Sequence, residues 1–339
     1  LLEKFGYYKT MGWAIDTWTI SSGLADEDQF LSDMNHTVNT YDRMMQGLLP
    51  KGDYDLYVQV YYFTDRIQHV LWRYMDPKHP MYVASKAPKY QAAIKAAYER
   101  MDQIVGQAMR EMPKDSVLMV LSDHGFTSFR YGVNYNRWLI DHGYMTLKAD
   151  TGVLSLQDLF DDNRLLFKNV DWSKTKAYAL GLGNIYINVK GREAHGIVEP
   201  GKQYREVCEA IQKELPQMVD PATGEHPVYK VYTRDELYSD YNPDLVPDLR
   251  VTNIPGYRVS WQTSLGGAPD QLITPNKKAW SGDHCSMDPS FVPGSFFLSV
   301  PINEHPRMID VAPTILKLLK VKVPESMEGH PMVGGGETR

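Results

Sequence analysis

The chain has 339 residues, 43% of them hydrophobic and 23% charged, the make-up of a globular protein with a sizeable core. A net charge of −6 and the lack of any basic run exclude the electrostatic footprint of a nucleic-acid-binding surface. No stretch reaches the roughly 18–20 apolar residues of a membrane span, no signal-peptide pattern is visible, and two cysteines, Cys208 and Cys285, could close one disulfide but no disulfide framework.

In chain order, 26–49 predicts a helix. Phe30, Met34, Val38, Tyr41, Met45 and Leu48 recur at helical spacing, and the acidic start suits a helix N-terminus. "LYVQVYYFT" (56–64) predicts a buried strand. A second helix is expected over 86–112, ending at Pro113, and "SVLMVLS" (116–122) predicts a second buried strand. Strand, helix, strand in that order predicts a parallel βαβ unit. Beyond it come a hairpin around Gly181 and Gly183 within 175–189, a helix over 205–215, strands at 247–254 and 294–300, and a last helix over 308–320. The segment 127–279, rich in Pro, Gly and Tyr, reads as an insertion or cap that shapes a substrate pocket. A core of 1–126 with 280–339 surrounds it.

Three short segments carry candidate chemistry. "FTDRIQH" sets Asp65 and His69 at i and i+4, on one face of a first helical turn just past a strand. Carboxyl ends of strands are where ligands gather in α/β sheets. "VLSDHGF" sets Asp123 and His124 at the end of the second strand. Strand neighbours point to opposite faces, so aiming both at one site needs a bend, and Gly125 permits it. A charged Asp at the end of a buried strand is costly unless paired or metal-bound. "SGDHCSMD" sets His284 in a polar loop ahead of another strand. Singly, each segment also reads as a cap, a core histidine or a surface turn. Together, Asp65, His69, Asp123, His124 and His284 are the oxygen and nitrogen donors that Zn²⁺ takes, and carboxylate-rich sites suit Mn²⁺ as well. Two metals about 4 Å apart are the usual device for phosphoryl transfer.

"FTDRIQH", "SDHGF", "SGDHCSMDP" and "IDVAPTILKLL…VPESMEGHP", in that order, closely resemble the alkaline phosphatase superfamily. The nearest branch is the type I phosphodiesterase/nucleotide pyrophosphatase-like proteins, including their uncharacterised phosphohydrolase-or-mutase members. The resemblance runs from about residue 26 to the C-terminus. It implies an alkaline phosphatase-like α/β fold, with a central mostly parallel sheet, helices on both faces and a cap-like insertion. It implies metal-dependent hydrolysis of a small-molecule phosphate ester. It maps Asp65, His69 and His284 onto one zinc site, and Asp123 and His124 onto a second metal. The family's second site also uses an upstream Asp and a Thr or Ser nucleophile. Here only "WAIDTWTISSG" (13–23) offers candidates, Asp16 with Thr17 or Thr19, and they are adjacent where the family separates them. The expectation is that this chain is the C-terminal portion of a longer protein and that the nucleophile lies upstream.

Rival readings are a phosphomutase or sulfatase on the same fold, and a non-catalytic metal-binding module. After the Asp-His pair, Arg130, Asn134 and Asn136 could reach a phosphate or a leaving group; the alternative is a solvated loop leading into a helix. Asp283 and Asp288 flank His284 as candidate partners behind it. His79, His142, His195, His226, His305 and His330 read as surface or packing residues. Trp172, Tyr178, Tyr186, Tyr257 and Trp261 line the cap pocket or belong to its core.

Overall fold

The computed structural model describes residues 1–9, 14–149, 166–303 and 305–334. The 150–165 part of the expected insertion lies outside them. In chain order the described strands are β1 (Met119–Leu121), β2 (Thr127–Val133), β3 (Ala177–Ala179), β4 (Asn184–Ile187), β5 (Val228–Thr233), β6 (Leu249–Asn253), β7 (Gly256–Val259), β8 (Ile273–Pro275), β9 (Gly282–Asp283) and β10 (Phe296–Leu298). The chain divides into two units, one of residues 1–71, 88–125 and 293–339, the other of 72–87 and 126–292.

In the first unit the helix Glu27–Leu48 opens on a capping box. Asp26 Oδ1 accepts from the Gln29 N–H and Gln29 Oε1 accepts from the Asp26 N–H, both at 2.9 Å. These satisfy donors that a helix start otherwise leaves open. Phe30, Met34, Val38 and Met45 form its buried stripe, as the spacing predicts. The helix Ala87–Glu111 buries Tyr90, Ile94, Ala97, Ile104 and Ala108, and stops short of Pro113.

The strand expected at 56–64 does not form among the described residues. Phe63 and Thr64 already belong to the helix Phe63–Leu71, and 56–62 joins no ladder. Exposure there still alternates with period two. Leu56, Val58, Val60 and Tyr62 are exposed, while Tyr57, Gln59 and Tyr61 are half-buried. Strand-forming side chains cannot make a strand without a partner for their backbone groups. The expected parallel pairing of this segment with 116–122 is therefore absent. β1 pairs antiparallel with β10 instead, Met119 opposite Leu298 and Leu121 opposite Phe296.

β1 is also half-exposed rather than buried. Its end is held by the later strand. Ser122 N–H donates to the Ser295 carbonyl at 2.9 Å, and Ser295 N–H to Ser122 Oγ at 2.8 Å. At Gly294 an added Cβ would lie 2.5 Å from the Ser122 carbonyl oxygen, so the approach there requires glycine.

The C-terminal run is stapled to the helix Val311–Leu318. Buried Asp310 takes a two-pronged contact from Arg307 at 3.0 Å and the His330 N–H at 2.9 Å. Thr314 Oγ1 accepts from the Met332 N–H at 2.9 Å. "IDVAPTIL" and "EGHP" are thus two halves of one structural clamp.

The second unit has two four-stranded sheets, β7-β2-β8 with β9 also on β2, and β3-β4-β6-β5. Only β2–β7 is a parallel strand pair; the other strand pairs in both sheets are antiparallel. The expected hairpin is β3–β4, with Tyr178 opposite Tyr186. β2 arises from "TSFRYGV", where interleaved Ser, Arg and Gly dilute the strand signal. Val133, Trp138, Leu139, Ile185, Ile187, Ile211, Leu215 and Val251 are among this unit's core residues. The chain is thus mixed α/β, with sheets more antiparallel than expected.

His79 in this unit is 3% exposed. Its Nε2 donates to the Phe129 carbonyl at 2.8 Å and its Nδ1 accepts from the Met81 N–H at 3.0 Å, which fixes a neutral ring. Burial holds its pKa down at about 4, against an ordinary value of 6.5. A depressed folded pKa contributes stability above the unfolded pKa that is lost as pH falls through the folded one. We expect wild type to lose about 3 kcal/mol from this group between pH 6.5 and 4. His79→Gln should lose that much less, read from urea midpoints at pH 7 and 4; equal acid losses in both proteins would exclude the assignment.

Candidate metal centre

Four of the five expected ligands lie in the first unit. Asp65 and His69 are carried by the helix Phe63–Leu71, whose i, i+4 spacing stacks them on one face, with His69 Nε2 3.4 Å from Asp65 Oδ1. Asp123 follows β1 at a bend, the change of direction that the Asp-His pair needs. His124 Nε2 then lies 3.5 Å from Asp123 Oδ1 and 4.0 Å from Asp65 Oδ1. His124 Nδ1 is 3.1 Å from the Gly125 carbonyl oxygen. That contact makes Nδ1 the protonated nitrogen and turns the Nε2 lone pair toward the two carboxylates.

These donor separations of 3.4–4.0 Å exceed the 2.7–3.2 Å of a good hydrogen bond. The 3.4 and 3.5 Å separations within the Asp65–His69 and Asp123–His124 pairs suit two donors on one ion, since with bonds of roughly 2.0–2.2 Å tetrahedral ligand atoms sit about 3.3–3.6 Å apart; the 4.0 Å between His124 and Asp65 is wider than that. The donor set, two carboxylates and two imidazoles, fits zinc or manganese chemistry. Accessibility grades across the cluster, from a His69 side chain 1% exposed to an Asp123 side chain 77% exposed. Asp123 is therefore not the buried strand-end charge that was expected: its side chain is 77% exposed, and its contact with His124 is what singles it out.

His284 belongs to the second unit. β9 pairs with the start of β2, Asp283 opposite Thr127 and Gly282 opposite Ser128. Asp283 is fully buried and anchors the turn. Its Oδ1 accepts the N–H groups of His284 and Cys285, both at 2.8 Å, and its Oδ2 accepts from Trp280 Nε1 at 2.7 Å. Arg258 Nε lies 2.8 Å from the same Oδ2, an ion pair off the hydrogen-bond line, with its guanidinium between the rings of Phe129 and Trp261. The Phe126 ring meets His284 edge-on at 5.3 Å.

Cys285 Sγ lies 3.9 Å from His284 Nδ1, but burial and the Asp283 charge push its thiol up to about 12. Cys208 and Cys285 are both free, so the one disulfide that two cysteines allow does not form. Asp288 accepts instead from Tyr232, Thr252 and Ser290.

The residues read as phosphate contacts have other partners. Arg130 makes a two-pronged ion pair with Asp76, Nε–Oδ2 2.6 Å and Nη2–Oδ1 3.0 Å. Asn134 is fully buried and donates to the Gln271 carbonyl at 2.8 Å. Asn136 is fully buried as well, donating to the Ala179 and Gly267 carbonyls at 3.0 Å and accepting the Ala179 N–H at 2.7 Å. Asp16 closes its own turn, accepting from the Trp18 and Thr19 N–H groups and the Thr19 hydroxyl. Thr17 is buried. The ion pairs of Asp76 with Arg130 and of Asp283 with Arg258 have no local sequence signal, because each arginine comes from far along the chain.

A carboxylate–imidazole cluster around a helix start and a strand end, in a mixed α/β chain, is a donor set of the kind divalent metals take. The family is specific. The model of the type I phosphodiesterase / nucleotide pyrophosphatase family matches residues 6–284, well over half of the chain, which therefore belongs to that family. Its members are hydrolytic enzymes acting on small phosphate esters, generally with divalent metals. The match begins at residue 6, ahead of the stretch from about residue 26 over which the motifs carry the resemblance. No curated protein matches the chain at a significant level. No described helix is long and apolar enough to cross a membrane.

Proposed function

We propose that this chain hydrolyses phosphate esters, diesters foremost, at a two-metal site. Asp65, His69 and His284 would hold one divalent ion, and Asp123 and His124 the other. The observation that carries the reading is a run of near contacts, His69 to Asp65, Asp65 to His124 and His124 to Asp123, at 3.4–4.0 Å. His284 joins them on the strength of the motif order alone. Zinc is the first choice for this oxygen and nitrogen set, manganese the second. Bound divalent ions would neutralise phosphoryl oxygens and stabilise the departing one.

The chain's own residues do the preparatory work. The helix Phe63–Leu71 presents Asp65 and His69 together, and Gly125 fixes the His124 tautomer. Asp283 holds the His284 main chain. No attacking hydroxyl is assigned among the described residues: Thr17 is buried, and Thr19 is bonded to Asp16. It leaves Arg130, Asn134 and Asn136 out of the pocket, because their partners are internal. The family's central, mostly parallel sheet with helices on both faces belongs to the same reading.

The test is hydrolysis of a chromogenic phosphodiester before and after chelation. We expect activity that chelator removes and Zn²⁺ or Mn²⁺ restores. Diester cleavage indifferent to chelator would refute the two-metal reading, and faster release from a sulfate ester would favour the sulfatase alternative.

A further inference from the structure

The two oxygens of Asp65 do different things. Oδ1 faces the cluster, 3.4 Å from His69 Nε2 and 4.0 Å from His124 Nε2. Oδ2 faces the next residue, 3.2 Å from Nη1 of Arg66. Arg66 is 8% exposed, and its guanidinium lies 6.0 Å from the centre of the Tyr62 ring. An arginine that deep is held by its surroundings, so it is a fixed reference and not a mobile surface cation. A carboxylate turns easily about its last bond, because that torsion is broad and roughly two-fold. A cation on one oxygen removes the freedom.

We propose that Arg66 is the positioning residue of the metal centre: by holding Oδ2 of Asp65 it presents Oδ1 alone to the ion, as a one-oxygen ligand. The inference rests on the two-metal reading above. Arg66 touches neither substrate nor metal and acts only through Asp65. Two effects oppose each other. Its positive charge repels a divalent ion, whereas its grip on Oδ2 pre-sets the ligand. Oδ2 is the oxygen turned away from the cluster, so the charge is the more distant influence and the grip wins. The sign of the change on removing Arg66 therefore decides the matter.

The experiment is Mn²⁺ and Zn²⁺ titration of the chelator-stripped chain by calorimetry, with thermal midpoints in chelator as the folding control. Arg66→Met should weaken metal affinity by about 10–100-fold, the usual cost of losing a partner behind a ligand. Arg66→Lys, which can still hold Oδ2, should recover most of it. A purely structural arginine would lower the thermal midpoint without metal and leave the affinity alone. Folded Arg66→Met with unchanged or tighter binding overturns the proposal. Should that variant not fold, Arg66→Gln and Arg66→Lys decide in its place, and wild-type affinity in both overturns it. A wild-type chain that binds neither metal removes the two-metal reading, and this inference with it. Normal wild-type binding beside unaffected variants removes only this inference.

Discussion

Replacing His69 by alanine is expected to lower metal-dependent phosphodiester hydrolysis by on the order of 10³-fold, equivalent to about 4 kcal/mol of lost transition-state stabilisation. The imidazole is 1% exposed and shares a helix face with Asp65, so no solvent-borne group can take its place as a donor. Losing one of three protein ligands would leave the ion weakly held, and the phosphoryl charge it would neutralise would go uncompensated. The variant must be shown to fold, because a buried ring is also being removed. The control is the far-ultraviolet spectrum together with calorimetric metal binding, where His69→Ala should lose one of the ions that wild type binds. Near-wild-type turnover at saturating zinc would remove His69 from the ligand set and leave Asp65 to be explained as a helix-start carboxylate.

The second large effect is on stability. Asp283→Ala should lower unfolding free energy by about 3–5 kcal/mol, the range for breaking a buried ion pair at one partner. Asp283 and Arg258 have side chains 0% and 2% exposed, so the arginine left behind has no water to turn to. Trp280 and two main-chain N–H groups lose their acceptor in the same step. Arg258→Met in the Asp283→Ala background should recover much of the loss, since the stranded charge goes while its place between Phe129 and Trp261 stays filled. Urea midpoints of the four proteins decide it. If the single variant falls within about 0.5 kcal/mol of wild type, Asp283 is an ordinary loop carboxylate.

Local chemistry was legible. The helix 26–49 could be read because its buried stripe and its cap are both written in neighbouring residues, Phe30 to Met45 and Asp26 to Gln29. Asp65 with His69, and Asp123 with His124, could be read for the same reason: each pair is joined by the short geometry of a helix turn or a bend. The pairing of strands could not. "LYVQVYYF" has strand-forming residues but no ladder among the described residues, and "TSFRYGV", with a weaker signal, is the hub of a sheet. Ladder bonds join residues far apart in sequence, so composition cannot say which partner arrives.

The candidate site divides along the same line. By itself the sequence determined the family and which residues are candidate donors, in their order along the chain, because residue identity and short spacing are properties of neighbouring residues. Only the tertiary structure decided that His124 and Asp65 lie together, that Asp123 is in water, and that Arg130, Asn134 and Asn136 have internal partners. It also decided which oxygen of Asp65 faces the cluster. Each of these depends on where a buried polar group finds the partner that offsets its lost hydration, and that partner is brought by the fold.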